Sequence, residues 1–254
     1  FHMWTPDVYE GSPTSVTSFF SIVPKIAGIA VFIRFMYSPF QNILDEWQYI
    51  LVFISIASMI LGAVAAINQK NIKRLIAYSS ISHMGYAIAG ISTGTESGFK
   101  STIIYILIYS AMNIGFFAFV FLMKRSGKYI EDINELSGIS KNHPLAALSL
   151  LIVLFSLAGI PPLAGFFAKF YIFMSVIESG MYALAIIGLV TTVVSAFYYI
   201  RIVKVMYFDS PKKPFESFKS YGIYGSLIFS CLFLSSFFMY PSIFNGIISK
   251  INIF

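Results

Sequence analysis

Two lysines stand in stretches that otherwise read as hydrocarbon. Lys25 lies in FFSIVPKIAGIAVF and Lys169 in GIPPLAGFFAKFYIF. A charged side chain at the centre of a membrane helix costs about 2.5–3.5 kcal/mol on insertion scales, so it faces protein or water. Taking an ammonium out of water disfavours its charged form, and a lysine so placed can load and release a proton near neutral pH. That is proton-handling chemistry, responsive to any neighbouring charge that moves. The competing reading is a lysine that snorkels to an interface or sits in a fixed ion pair. Lys169 lies about two turns past a pair of prolines and far from either end of its stretch, and Lys25 follows Pro24.

A second group is spaced rather than isolated. In NIKRLIAYSSISHMGYAIAG, Ser79, His83 and Tyr86 fall at i, i+4 and i+7 and so share one helix face. Histidine titrates near neutral pH, and a serine–histidine–tyrosine stripe can order water and relay protons. The alternative is a polar helix–helix contact, worth about 0.6 kcal/mol per hydrogen bond. Tyr105, Tyr109 and Asn113 repeat the spacing at i, i+4 and i+8 on the next apolar stretch. Two such faces on adjacent spans imply a hydrated seam if they meet, which spacing alone does not show.

Other polar residues read as structural. His2, Asp7 and Glu10, beside Pro6, Gly11 and Pro13, look like a turn between helices; Asp7 or Glu10 serves a cap or a proton intake. Arg34 reads as an interfacial anchor, and His143 lies in a loop just before Pro144. The single cysteine, Cys231, sits in an apolar run, so no disulfide or metal–thiolate set can form within the chain. The three histidines are widely separated, and no Gly-rich phosphate loop, metal spacing or nucleophile triad is present. No metal, nicotinamide, flavin or iron–sulfur cluster is therefore expected in this chain.

The elements that must hold these residues are membrane helices. Apolar residues make up 57% of the chain and charged residues 11%, against about 25% charged in soluble domains. About 20 apolar residues span a bilayer, and seven stretches qualify, at roughly 14–37, 48–67, 74–93, 101–123, 145–177, 181–207 and 221–247. The fifth is too long for one straight span. Gly159, Pro161 and Pro162 in its middle should break it into two half-helices. Such a break at membrane depth is expected to be buried in protein or to line a wet cavity. The fold class is all-α: one polytopic transmembrane domain over 1–254, about seven spans, with one discontinuous helix at 145–177.

The net charge of +6 is distributed as topology, not as a phosphate-binding face. Lys70, Lys73 and Arg74, then Lys124, Arg125, Lys128 and Lys141, then Arg201, Lys204, Lys212, Lys213 and Lys219 occupy alternate loops. The intervening loops carry Asp45–Glu46, Glu96 and Glu178. By the positive-inside rule the basic loops face the cytoplasm or its organellar equivalent, and no nucleic-acid partner is expected. The longest polar connection, 124–143, is expected to carry a short surface helix.

FHMWTPDVYEGSPT, VPKIAG, NIKRLIAYSSISHMGY and SLAGIPPLAGFFAKFY, in that order, resemble the subunit N family of proton-translocating NADH:quinone oxidoreductase (respiratory complex I) and its mitochondrial counterpart. That family is related to subunits of multi-component cation/proton antiporters. The resemblance implies fourteen helices with two inverted five-helix repeats, each forming a half-channel around a broken helix. The chain then looks like a C-terminal portion that starts within the first broken helix. Its second repeat would cover about 48–207 and its final helix about 221–247. The resemblance also implies that Lys25 connects the half-channels, that Lys169 is the broken-helix lysine on the exit side, and that His83 is the central polar residue. Ser79, Tyr86, Tyr109, Asn113, Pro161 and Pro162 are the expected supporting residues.

The first half-channel's glutamate and lysine would lie upstream of Phe1, and a chain without them is not expected to pump alone. NADH, flavin, iron–sulfur clusters and quinone are expected in other subunits. The expected partners are those membrane-arm subunits and the lipid bilayer, in a bacterial inner membrane or, alternatively, a mitochondrial one. Rival readings are a subunit of a cation/proton antiporter or membrane-bound hydrogenase, a structural membrane subunit, and a solute transporter with a midplane site.

Overall fold

The computed structural model describes residues 3–216 and 220–239. His2, Lys219 and the stretch 240–247 of the last expected span lie outside the described residues. Ten α-helices, two short 3-10 turns and a two-residue ribbon make up the described chain.

The expected opening turn is instead a short helix, α1 (Thr5–Gly11). Pro6 stands in its first turn, where a missing N–H costs nothing. The helix stops because Ser12, preceding Pro13, is extended, as residues before proline are pushed to be. Helix α2 (Thr14–Tyr37) follows, with Lys25 near its middle and Pro24 inside it.

Helices α3 (Leu44–Ala66), α4 (Ile72–Ser92) and α5 (Glu96–Leu122) follow, on the next three expected spans. α3 and α5 begin four to five residues before their apolar stretches. Their first turns are acidic, with Asp45 and Glu46 in one and Glu96 in the other, where the helix dipole favours negative charge. Asn71 caps α4 by accepting from the backbone N–H groups of Lys73 at 2.8 Å and Arg74 at 3.2 Å.

The 124–143 connection carries the expected short helix, α6 (Ile139–Asn142), and more besides. Lys124–Arg125 pairs antiparallel with Lys128–Tyr129, and a 3-10 turn follows at Ile133–Leu136. Ser126 (φ 50°) and Gly127 (φ 75°) form the left-handed corner that a two-residue hairpin requires.

The long fifth stretch is two half-helices, α7 (Pro144–Ala158) and α8 (Ala164–Glu178). Gly159 ends α7 at φ 84°, a conformation that costs glycine nothing. Helices α9 (Tyr182–Phe208) and α10 (Tyr221–Ser236) complete the described bundle. Among the described residues four helical segments are long and apolar enough to cross a membrane: Thr14–Tyr37, Gln41–Ala66, Glu96–Leu122 and Tyr182–Phe208.

Helix α4 is the centre. All but two of its residues are buried, and it packs against α1, α2, α3, α5, α8 and α9. Its approach to α3 needs Gly62, where a Cβ would lie 2.6 Å from the Tyr78 carbonyl oxygen. The basic loops, as far as they are described, gather on one face. The Ile133 N–H donates to the Lys70 carbonyl, Gly138 to Val205 and Glu216 to Lys124, at 2.8–3.0 Å.

Candidate functional site

Lys169 is placed by the helix break. The last four carbonyls of an α-helix have no partner within it, and in α7 all four are satisfied. The Gly159 N–H donates to Phe155 and Ser156 at 3.1 and 3.0 Å, and Ile160 adds a bond to Phe155. The Lys169 ammonium donates to the Leu157 and Ala158 carbonyls, both at 3.1 Å. The Gly165 N–H at the start of α8 donates back to Ser156 Oγ at 3.0 Å. Lys169 thus caps the negative end of a half-helix from inside the bundle, at 4% exposure. Its Nζ also lies 5.2 Å from the centre of the Tyr86 ring, within cation–π range.

The expected enclosure of the break holds only in part. Pro161 and Pro162 are exposed, although Gly159 and Ile160 are half-buried. Prolines have no N–H to satisfy, and the freed carbonyls are held by Lys169 on the inner side. The break is therefore satisfied without a cover over the prolines.

Lys25 points from α2 into α4 and α5. Its Nζ donates to Ser80 Oγ at 2.6 Å and to the Tyr109 hydroxyl at 3.2 Å. It also lies 5.2 Å from the Tyr9 ring centre and 5.6 Å from that of Tyr109. Neither Lys25 nor Lys169 has a carboxylate within 4.0 Å among the described residues.

The two polar stripes do meet. His83 Nδ1 lies 2.6 Å from the Tyr105 hydroxyl, and the His83 and Tyr109 rings are 5.1 Å apart. Ser79 bonds the Tyr199 hydroxyl, which also lies 3.3 Å from His83 Nε2. Tyr86 turns toward α9, bonding Thr191 at 3.1 Å and accepting from Thr192 at 3.0 Å. Asn113 is buried but bonds along its own helix, donating to the Tyr109 carbonyl at 2.8 Å. It does not bond across the seam.

Helix α9 supplies groups that sequence reasoning missed: Tyr199, Thr191 and Thr192. No local pattern marks them, because they sit in an apolar run whose partners are more than 100 residues away. Ser80 was also missed, as the neighbour of a residue already assigned to the stripe.

The loop face has a different chemistry. Lys73 is 2% exposed. Its ammonium pairs with Glu131 at 2.6 Å and donates to the Ser12 carbonyl at 2.8 Å. Arg74 pairs with Glu10 at 2.7 Å and Asp7 at 3.0 Å, so those two acids act as ion-pair partners across the α1–α4 contact. A cavity of about 310 Å³ opens here, lined in part by Glu10, Ser12, Lys73 and Glu131. Further round, Glu135 pairs with Arg125 at 2.7 Å and Lys212 at 2.8 Å. Hydrogen bonds from Lys212 and Arg125 hold its carboxyl below the usual glutamate range.

A family described as "NADH:quinone oxidoreductase/Mrp antiporter, TM" matches residues 1–195, which include Lys25, His83 and Lys169. The chain belongs to this family. It is 60% identical over 253 residues to NADH-quinone oxidoreductase subunit N of Pelagibacter ubique, covering all of this chain and 54% of that protein. A chain of respiratory complex I from Thermus thermophilus superimposes with a TM-score of 0.82 at 31% identity, over 95% of this chain and 53% of that one. A chain of an archaeal membrane-bound sulfane sulfur reductase gives a TM-score of 0.85 at 25% identity, over 97% of this chain and 50% of that one. The chain thus spans about half the length of the curated relatives it matches. Family membership together with the long apolar helices makes this an all-α, polytopic membrane protein of the antiporter-like class.

Proposed function

We propose that this chain is the C-terminal part of subunit N of an NADH:quinone oxidoreductase and that it moves protons through a path of side chains within the bundle, Lys25 half-buried and His83 and Lys169 buried. Lys25, His83 and Lys169 carry the proton; Ser79, Tyr86 and Tyr109 support it from the helices around His83. Asn113 and the Pro161–Pro162 break contribute through the shape of α5 and the ends of α7 and α8. In this reading, residues 48–207 form the second of two helical repeats and 221–247 the final helix. The chain does no redox chemistry. NADH, flavin, iron–sulfur clusters and quinone belong to other subunits, and quinone reduction there drives changes in charge along the membrane arm. The basic loops face the cytoplasm of a bacterial inner membrane, and the neighbours are other membrane-arm subunits.

One observation carries this reading. Two ammonium groups lie within the bundle with no carboxylate partner among the described residues, held by hydroxyls, carbonyl oxygens and ring faces. A lysine in a static ion pair would need a counter-charge, and a snorkelling lysine would reach an interface. Neither arrangement describes Lys25 or Lys169. A charge held only by dipoles can be given up when a neighbouring charge changes.

The test is NADH-driven proton uptake in inverted membrane vesicles, with the full-length subunit carrying Lys169→Ala and assembly checked by native gel. Proton uptake and coupled NADH oxidation should fall together, by tenfold or more on the order of a lost proton-transfer group. An assembled complex that pumps normally would make Lys169 a structural charge. The family's description also names Mrp antiporters, which keeps a cation/proton antiporter as the second reading. Proton flux driven by a sodium gradient without NADH or quinone would favour it.

A further inference from the structure

His83 is held between tyrosines from two other helices. The hydroxyl of Tyr105, from α5, meets Nδ1 at 2.6 Å, and that of Tyr199, from α9, meets Nε2 at 3.3 Å. The Tyr199 hydroxyl is also bonded to Ser79 Oγ. All four side chains are buried. A neutral imidazole has one donor nitrogen and one acceptor nitrogen. Whichever tautomer is present, one tyrosine donates to the ring and the other accepts from it. The Tyr199–His83–Tyr105 part therefore has a polarity, with its hydrogens all directed one way or all the other, and Ser79 joins that line when Tyr199, which Tyr198 also hydrogen-bonds, pairs with Ser79.

We propose that Tyr199 is a relay residue and that this line is a one-proton wire, with His83 as its two-ended bridge. The inference rests on the proton-path reading above and adds a route to it. Ser79 lies one helical turn nearer the loop face than His83, because α4 starts at that face. The wire thus leads from the loop side toward the middle of the bundle. A proton arriving on the Ser79 oxygen sends that hydroxyl's proton to the Tyr199 oxygen. The Tyr199 proton passes to Nε2, the Nδ1 proton to the Tyr105 oxygen, and the Tyr105 proton moves on. One proton enters, one leaves, and no charge stays behind. Every bond in the line is then reversed and His83 is in its other tautomer. A second proton cannot follow until the hydroxyls rotate and the tautomer resets. A wire that must reset after each proton does not conduct freely, which is what a coupled pump needs.

Tyr199→Phe removes the hydroxyl and keeps the ring, which packs on Tyr198 at 4.4 Å between centroids. In the assembled complex with the full-length subunit, NADH-driven proton uptake should fall about tenfold. In a His83→Phe background, Tyr199→Phe should add no further loss, since both cut one wire. Tyr37→Phe deletes an equally buried hydroxyl, one that donates to the Ile91 carbonyl at 3.0 Å in a separate cluster, and should pump as wild type. If Tyr199→Phe does not assemble, Ser79→Ala cuts the same line one place nearer the loop face and should give the same loss. Normal pumping by Tyr199→Phe beside a defective Lys169→Ala would overturn the wire and leave the proton path standing. Additive losses in the double variant would overturn it too, making Tyr199 a packing residue. Normal pumping by both Tyr199→Phe and Lys169→Ala would remove the wire and the functional reading together.

Discussion

The loop face and the bundle interior treat positive charge in opposite ways. At the loop face Lys73, Arg74, Arg125 and Lys212 each meet a carboxylate at 2.6–2.8 Å. In the interior Lys25 and Lys169 meet hydroxyls, carbonyl oxygens and aromatic faces. A full counter-charge fixes the protonation state of its partner, because removing the proton would strand the carboxylate. Dipoles and ring quadrupoles stabilise an ammonium less and leave it able to change. The first arrangement ties loops together; the second can carry a mobile proton.

The comparison breaks most directly if the interior is given the chemistry of the loop face. Ser80→Asp would set a carboxylate against the Lys25 ammonium, which now lies 2.6 Å from Ser80 Oγ. Coupled proton uptake should fall about tenfold or more while the complex still assembles. Unchanged uptake would show that Lys25 need not release its proton.

The converse change strips the loop face of a counter-charge. Glu131→Ala would leave Lys73 buried and unpaired, at a cost of about 3–5 kcal/mol. The thermal stability and yield of the assembled complex should drop, and Lys73→Met together with Glu131→Leu should recover most of the loss. A Glu131→Ala complex as stable as wild type would mean that the Ser12 carbonyl alone suffices for Lys73.

The smallest effect lies at the rim. Glu135 has its carboxyl held down by Lys212 and Arg125. A depressed folded value contributes stability that is present above the ordinary glutamate value, about 4.3, and is lost as pH falls through the folded one. Such part-exposed pairs contribute about 0–1 kcal/mol. Protection of the 124–137 amides from exchange, relative to their intrinsic rates, should therefore fall modestly in acid and stay flat at neutral pH. Glu135→Gln should remove the acid step; a step that persists would belong to another carboxylate.

Much of the interior was legible because hydrophobicity is local information. A lysine in an apolar run, a Gly-x-Pro-Pro interruption and an i, i+4, i+7 stripe are all visible within twenty residues, and each fell on the helix expected. The loop face was less legible for the same reason. Lys73 and Arg74 read as part of a basic loop, whereas they lie in the first turn of α4 and Lys73 is buried against Glu131, 58 positions away. Asn113 kept the period of its stripe yet bonds its own backbone, since spacing specifies a face and not a partner. The helix at Thr5–Gly11 reads as a turn in the sequence because proline and glycine mark both turns and helix ends.

Composition, apolar stretch length and proline placement by themselves determined a helical membrane bundle with one broken helix and two lysines in its spans. These follow from the cost of exposing backbone or charge to lipid, which each segment meets on its own. Only the tertiary structure decided which groups those lysines and His83 touch. Tyr199 lies 116 residues from His83 in the chain, and nothing in its neighbourhood sets it apart from the other tyrosines of α9. Its hydroxyl acquires a role only when packing brings α9 against α4.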